Sequence, residues 1–177
     1  MQINLTIEKG RADDFNELVA DLIASPKVVQ KSIISARRKT AKWLRTQVVR
    51  ALSKETQIPA SVLRNRVVLS RISIKGEVFI GLNSVSVSRL QPRQTKSGVK
   101  AKGGLHVQGA FVVDSMESHP VFKRVTDRAY PIEYQRRDLE KEAQRIIAGD
   151  ILPKLSDKLY DLLEHELKWR ILYKQKK

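Results

Sequence analysis

Cysteine is absent from this chain of 177 residues, which excludes a disulfide scaffold, a thiolate zinc site and a thiol nucleophile, and fits a reducing compartment. Long apolar runs are absent too. Lys or Arg interrupts every hydrophobic stretch before it reaches the roughly 18 residues that a bilayer requires. Residues 1–10 lack the basic start and apolar centre of a signal peptide. The expectation is a soluble, unexported protein with no membrane association. Histidine is scarce, with 3 in the chain. His106, His119 and His165 have no second His or carboxylate at a metal-ligand spacing, so no metal site is expected.

Catalytic signatures are missing as well. Ser118-His119 lacks a third triad member, and Glu164-His165-Glu166 would spread its side chains around a helix, which reads as a solvated face. Lys102-Gly103-Gly104 shares composition with a phosphate loop but not its residue order, and no dinucleotide fingerprint occurs. No acid–base pair falls in a glycine-lined cleft. No catalytic residue and no cofactor are therefore expected, and the chain reads as non-enzymatic.

What is present is positive charge. Lys and Arg number 34 against 19 Asp and Glu, a formal net charge of +15. Residues 1–26 hold 2 basic and 5 acidic side chains, residues 27–102 hold 18 and 2, and residues 103–177 hold 14 and 12. Essentially the whole excess lies in the middle third, where mutual repulsion must be tolerated or met by a partner. An apolar fraction of 41% is enough for a core, and the length suits one domain spanning residues 1–177.

The patterning predicts an α+β fold: a long basic amphipathic helix packed on a small antiparallel sheet, with additional N- and C-terminal helices. Ile3, Leu5 and Ile7 alternate as a short first strand, and Phe15, Leu18, Val19, Leu22 and Ile23 recur at helical spacing before Ser25-Pro26. Residues 27–54 contain no Gly or Pro, so one helix could run roughly 42 Å at 1.5 Å per residue. Val29, Ile33, Ala36, Thr40, Leu44, Val48 and Ala51 form its apolar stripe. Pro59 opens a short helix through Leu63.

Residues 66–125 then read as three or four antiparallel strands. A hairpin turns at Lys75-Gly76, residues 84–88 alternate, residues 105–113 alternate with Gly109 as a bulge, and residues 121–125 form a further strand. Residues 91–104 have almost no apolar anchor and read as a mobile basic loop. Residues 130–132 read as extended. Residues 136–172 carry a mixed-charge helix ending at Gly149, then a helix capped by Asp150 with Leu152, Leu155, Leu159, Leu162, Leu163 and Leu167 at helical spacing.

The candidate contact residues follow from charge and spacing. Lys31, Arg38, Lys42 and Arg45 fall on the helix face opposite the apolar stripe, and Arg93, Lys96, Lys100 and Lys102 lie in the basic loop. Such groups can follow a phosphate backbone, dock on an acidic protein, or simply be solvated. Trp43 and Tyr130 could stack on bases or pack in a core.

Two segments carry a resemblance. One is Ala36-Arg37-Arg38-Lys39-Thr40-Ala41-Lys42-Trp43-Leu44, followed by Ile58-Pro59 and the turn at residues 63–67. The other is His119-Pro120-Val121-Phe122-Lys123-Arg124, then Arg128 and Pro131-Ile132-Glu133. In these segments, in length and in element order the chain resembles the minor tail protein Z, or tail completion, family of lambda-like long-tailed phages and prophages. The basic loop at residues 91–104 is a departure from that pattern.

The resemblance implies a structural virion protein located at the head-proximal end of the tail and assembled in the host cytoplasm. It would act in tail completion and head-to-tail joining. Its partners would be other phage tail and neck proteins in a homo-oligomeric ring, with non-specific contact to genomic DNA. In such a ring Asp14, Glu17 and Asp21 of the first helix offer an acidic face to a neighbour's basic helix. The alternative is a non-sequence-specific nucleic-acid-binding protein using the basic helix and loop.

Overall fold

The computed structural model describes Gln2–Ile3, Ala20, and residues 25–69 and 78–172. The predicted α+β class holds: a long helix, small antiparallel sheets and a C-terminal helix. Apart from Ala20, which is helical, the first helix expected through Phe15, Leu18, Val19, Leu22 and Ile23 lies outside the described residues, as do the strand beyond Ile3 and the Lys75-Gly76 turn. By contact the chain divides into two compact units, one of Met1–Val48, Val67–Ile80 and Ile147–Lys177, the other of Val49–Arg66 and Gly81–Ile146.

The long helix α1 (Pro26–Thr56), whose residues up to Val48 belong to the first unit and the rest to the second, begins at the Ser25-Pro26 pair, with Ser25 O accepting from Val28 N and Val29 N. Proline at the first helical position loses no needed hydrogen bond. The C-terminal helix α4 (Leu155–Leu172) buries Leu159, Leu163 and Leu167 against Ala36 of α1, with Val29, Ile33 and Leu162 packed around them. The small side chain of Ala36 lets the leucine row approach. Burying each leucine contributes about 1.5–3 kcal/mol. A three-stranded antiparallel sheet in the order β1 (Gln2–Ile3), β3 (Val78–Ile80), β2 (Val67–Leu69) completes the first unit.

The buried stripe of α1 is not straight. Ser32, Ala36, Thr40, Leu44 and Val48 are buried along its first two-thirds, whereas Val49, Leu52 and Thr56 are buried beyond. At about 100° per residue, this turns the mean direction of the buried face by roughly 150°. Ala51, expected in the apolar stripe, is only half-buried as a result. The helix ends at Thr56, whose Oγ1 donates to Leu52 O at 2.6 Å and accepts from Ile58 N at 3.3 Å, and Gln57 takes φ +55°. The short helix α2 (Ala60–Arg64) follows Pro59.

The second unit contains most of the β structure. A hairpin sheet runs in the order β5 (Arg93–Thr95), β6 (Gly98–Ala101), β7 (Leu105–Gln108). A second sheet runs β10 (Ile132–Tyr134), β9 (Val121–Arg124), β8 (Ala110–Val112), and β4 (Val85–Ser86) pairs with β11 (Arg136–Arg137). Val87, Val99, Ala110 and Val121 form the core between these elements, each at most 3% exposed. The helix α3 (Glu140–Ile146) adds buried Ala143 and Ile146.

Several expectations are corrected here. Residues 91–104 are not a mobile loop: they build β5 and β6, and their backbone is tied at both ends by Lys102 N to Leu90 O at 2.8 Å and Gly109 N to Ser97 O at 3.0 Å. The Gln94 side chain acts as a further strand partner. Its Nε2 donates to Gly98 O and Ala110 O, and its Oε1 accepts from Val112 N at 2.9 Å. Gly103 at φ +89° closes the β6–β7 turn because an added Cβ would lie 2.6 Å from Arg137 Nη1 and 3.0 Å from Thr56 O.

Residues 84–88 alternate as expected in burial, with Val85 and Val87 fully buried, but the strand stops at Ser86 and a 3-10 turn runs Val87–Leu90. Gly109, at φ +71°, is not a bulge within one ladder: it separates β7, paired with β6, from β8, paired with β9. The helix expected from Arg136 starts at Glu140, because Arg136 and Arg137 are claimed by β4. It does not stop at Gly149 but passes into a π-helical turn, Ile147–Ile151, and a 3-10 turn, Leu152–Lys154, before α4. Asp150 lies inside that π turn and caps nothing; Pro153 falls in the 3-10 turn, where its missing N–H is tolerated.

Candidate functional site

The basic residues singled out above form two arrays, one in each unit. On α1, Lys31, Arg38 and Lys42 are exposed and Arg45 is half-buried, all on the side away from the Ala36–Thr40–Leu44 stripe. The same helix carries no Asp or Glu from residue 27 to residue 54. This stretch therefore cannot neutralise its own face through the i,i+4 pairs common on exposed helices.

In the second unit, Arg93 and Lys100 are direct partners across β5 and β6, and Lys100 is in turn paired with His106 on β7. Directly opposed residues share a face, so the ladder lines up two fixed cations and an imidazole, all exposed. Like charges opposite one another destabilise a hairpin, and an anionic partner would remove that cost. Lys96 sits in the β5–β6 turn and Lys102 in the β6–β7 turn, at opposite ends of β6. The fold thus joins Arg93 with Lys100 and separates Lys96 from Lys102.

Two features escaped the reading of the sequence. The first lies between α1 and α4, where Ser35, Lys39, His165, Glu166, Trp169 and Arg170 line a cleft of about 350 Å³. Glu166, expected on a solvated face, is 4% exposed. It accepts from Lys39 Nζ at 2.5 Å and from Arg170 Nη2 at 3.2 Å. Burial pushes its carboxyl up, but hydrogen bonds from Lys39 and Ser35 and the charges of Lys39 and Arg170 outweigh burial and hold it below the usual carboxylate range. Glu164 and His165 do follow the solvated pattern: Glu164 pairs with Lys168 at 2.5 Å, and His165 is exposed. The Glu166–Arg170 spacing of four was the signal available; Lys39 could not be assigned without the fold. With its carboxylate already committed to two cations, the cleft is a structural joint.

The second feature is a row of rings, Phe111, Phe122 and Tyr134, across β8, β9 and β10. Strand alternation marks each ring as facing away from Ala110 and Val121, yet only the ladder register shows that they align. Tyr130 is 75% exposed, while Trp43 is half-buried.

Among the described residues, no group of His, Asp and Glu is placed to hold a metal ion, and no helix is long and apolar enough to cross a membrane. His119, at φ +43°, lies 3.6 Å from Asp114 on the surface, and His106 meets Ser97 Oγ at 3.2 Å. Comparison with protein-family models, with curated proteins and with solved structures finds no match for this chain.

Proposed function

We propose that the chain is a structural virion protein of a phage or prophage tail, acting at the head-proximal end in tail completion and head-to-tail joining. It works by docking rather than by turnover. The observation that carries this reading is the exposed row Lys31, Arg38 and Lys42 on a helix with no acidic residue between positions 27 and 54. A ring subunit set around a DNA channel, or against an acidic neighbour, gains from such a face because counterion release favours phosphate contact without sequence readout. The family resemblance supplies the tail context. The partners are other tail and neck proteins and further copies of this chain in a ring, with non-specific contact to genomic DNA.

A triple reversal, Lys31→Glu with Arg38→Glu and Lys42→Glu, tests this by complementation of a phage lacking the wild-type protein. The expected result is intact tails and filled heads that fail to join, with the purified variant keeping its circular dichroism spectrum. Normal yields of infectious particles from the folded variant would overturn the reading.

The Arg93–Lys100 pairing favours a second reading, a free nucleic-acid-binding protein that needs no virion partner. A salt series with duplex DNA on the isolated protein separates the two. Binding that falls steeply with salt supports this second reading; absent binding together with a joining defect in the triple variant supports the first.

A further inference from the structure

The β8–β9–β10 sheet has one face in the core and one that folding does not account for. Ala110, Val112 and Val121 point inward to the cluster around Val87 and Val99. On the other face the ladder pairs Phe111 with Phe122 and Phe122 with Tyr134, so the three rings stand in one line across the strands. Their centroids are 6.3 Å and 5.6 Å apart. Phe111 and Phe122 are only half-buried, and Tyr134 is 38% exposed. Burial of the inner residues already satisfies the sheet's apolar requirement, and three aligned, partly exposed rings exceed it.

Each end of the row carries a guanidinium. Arg124 lies 5.6 Å from the Phe111 centroid and Arg136 5.4 Å from that of Tyr134. The Tyr134 hydroxyl is held by Ser86 and Ser88, which fixes the ring at the edge of the row. Those hydrogen bonds lower the phenol from its ordinary value; burial opposes them, and the charges of Arg136 and Arg89 add to the lowering. Two guanidinium groups thus lie against the rings.

We propose that this row is a stacking platform for single-stranded nucleic acid, its rings taking bases and Arg124 and Arg136 taking phosphates. The occupant must offer flat π-faces and negative charge in alternation along one chain. Single-stranded DNA or RNA does so. A duplex presents the charge but hides its base faces in the stack, and an acidic polypeptide meets the arginines while leaving the rings unmatched. Tyr130, 75% exposed, lies in the connection between β9 and β10. No residue of α1 belongs to the row, so this inference stands apart from the docking reading.

The test is fluorescence anisotropy of the full chain with a labelled oligothymidylate of about 12 nucleotides and with the matching duplex. The single strand is expected to bind the more tightly. Phe122→Leu or Tyr134→Leu, which keep apolar bulk but remove the ring, should weaken single-strand binding by roughly tenfold, and Phe122→Trp should retain it. Replacing Arg124 and Arg136 together by Gln should lower the slope of log affinity against log salt by about 0.7 for each phosphate no longer neutralised. Equal affinity for the duplex, no single-strand binding by the parent, or leucine variants that bind as the parent does would each overturn the proposal. So would loss of single-strand binding in the α1 triple reversal with none in the leucine variants. The Phe122→Trp variant keeps the test decisive where a leucine variant fails to fold.

Discussion

Lys39 Nζ lies 2.5 Å from Glu166 Oε1, joining the middle of the long helix to the last turns of the C-terminal helix beside a core of leucines. Glu166 is buried and Lys39 is about half exposed, so the carboxylate depends on the contact more than the ammonium does. The lysine reaches water far more readily than the glutamate does.

Glu166 should therefore give the protein an acid-sensitive stability. Its folded-state pKa is lowered, so the stability it contributes is fully present above the ordinary glutamate value of about 4.3 and is lost as pH falls through the depressed folded value. Glu166→Gln should cost about 1–3 kcal/mol at neutral pH and flatten this part of the stability curve. Urea midpoints of parent and variant across the acid range check both expectations.

Gly103 and Gly104 are adjacent, yet their replacement should differ. An alanine Cβ at Gly103 meets Arg137 Nη1 at 2.6 Å and Thr56 O at 3.0 Å, whereas at Gly104 the nearest atom is Gln57 Oε1 at 3.6 Å. Gly104→Ala should cost about 1 kcal/mol for its φ of +63°, and Gly103→Ala more, about 2–3 kcal/mol, because carbonyl and guanidinium must also move. Chemical denaturation of the two variants compares them directly.

Gln94 joins two sheets through its amide. Gln94→Glu keeps an acceptor for Val112 N but removes the donors to Gly98 O and Ala110 O. The expected cost is about 1 kcal/mol. Hydrogen exchange should quicken in the β5–β6 hairpin more than in β9.

The Arg93–Lys100 pair should show stability and binding moving in opposite directions. Lys100→Glu turns a cross-strand repulsion into an attraction and should stabilise the hairpin by roughly 0.2–1 kcal/mol. If this row meets an anion, the same change should weaken binding to polyphosphate or DNA at low salt. Thermal melts and a binding isotherm on one variant provide both readings.

Much of the helical architecture was legible from short-range rules. The absence of Gly and Pro over residues 27–54 allowed one long helix, and the spacing of Leu152, Leu155, Leu159, Leu162, Leu163 and Leu167 marked a second, of which Leu159, Leu163 and Leu167 are the buried row. The β region was harder to read because its hydrogen bonds are made with distant residues. Residues 91–104 look unanchored because Val99 is their one buried apolar side chain and their other anchors are the Gln94 amide, Leu90 O and the Arg137 guanidinium, which hydrophobic patterning does not reveal. Arg136 and Arg137 favoured a helix locally and were taken instead by β4, a pairing across some fifty residues of chain that no local pattern encodes.

By itself, the sequence determined the α+β class, the continuity of the long helix, the face of that helix left to Lys31, Arg38 and Lys42, and the Val-in, Ser-out alternation at residues 84–88. These follow from periodicity and from the φ and hydrogen-bond limits of Gly and Pro, which act within a few residues. Only the tertiary structure decided that Arg93 opposes Lys100, that Phe111, Phe122 and Tyr134 share one line, and that Glu166 is buried against Lys39. Strand register and helix packing set those three relationships, and both are chosen by the burial of the whole core, where shifting a strand by one residue would send every ring and every charge to the opposite face.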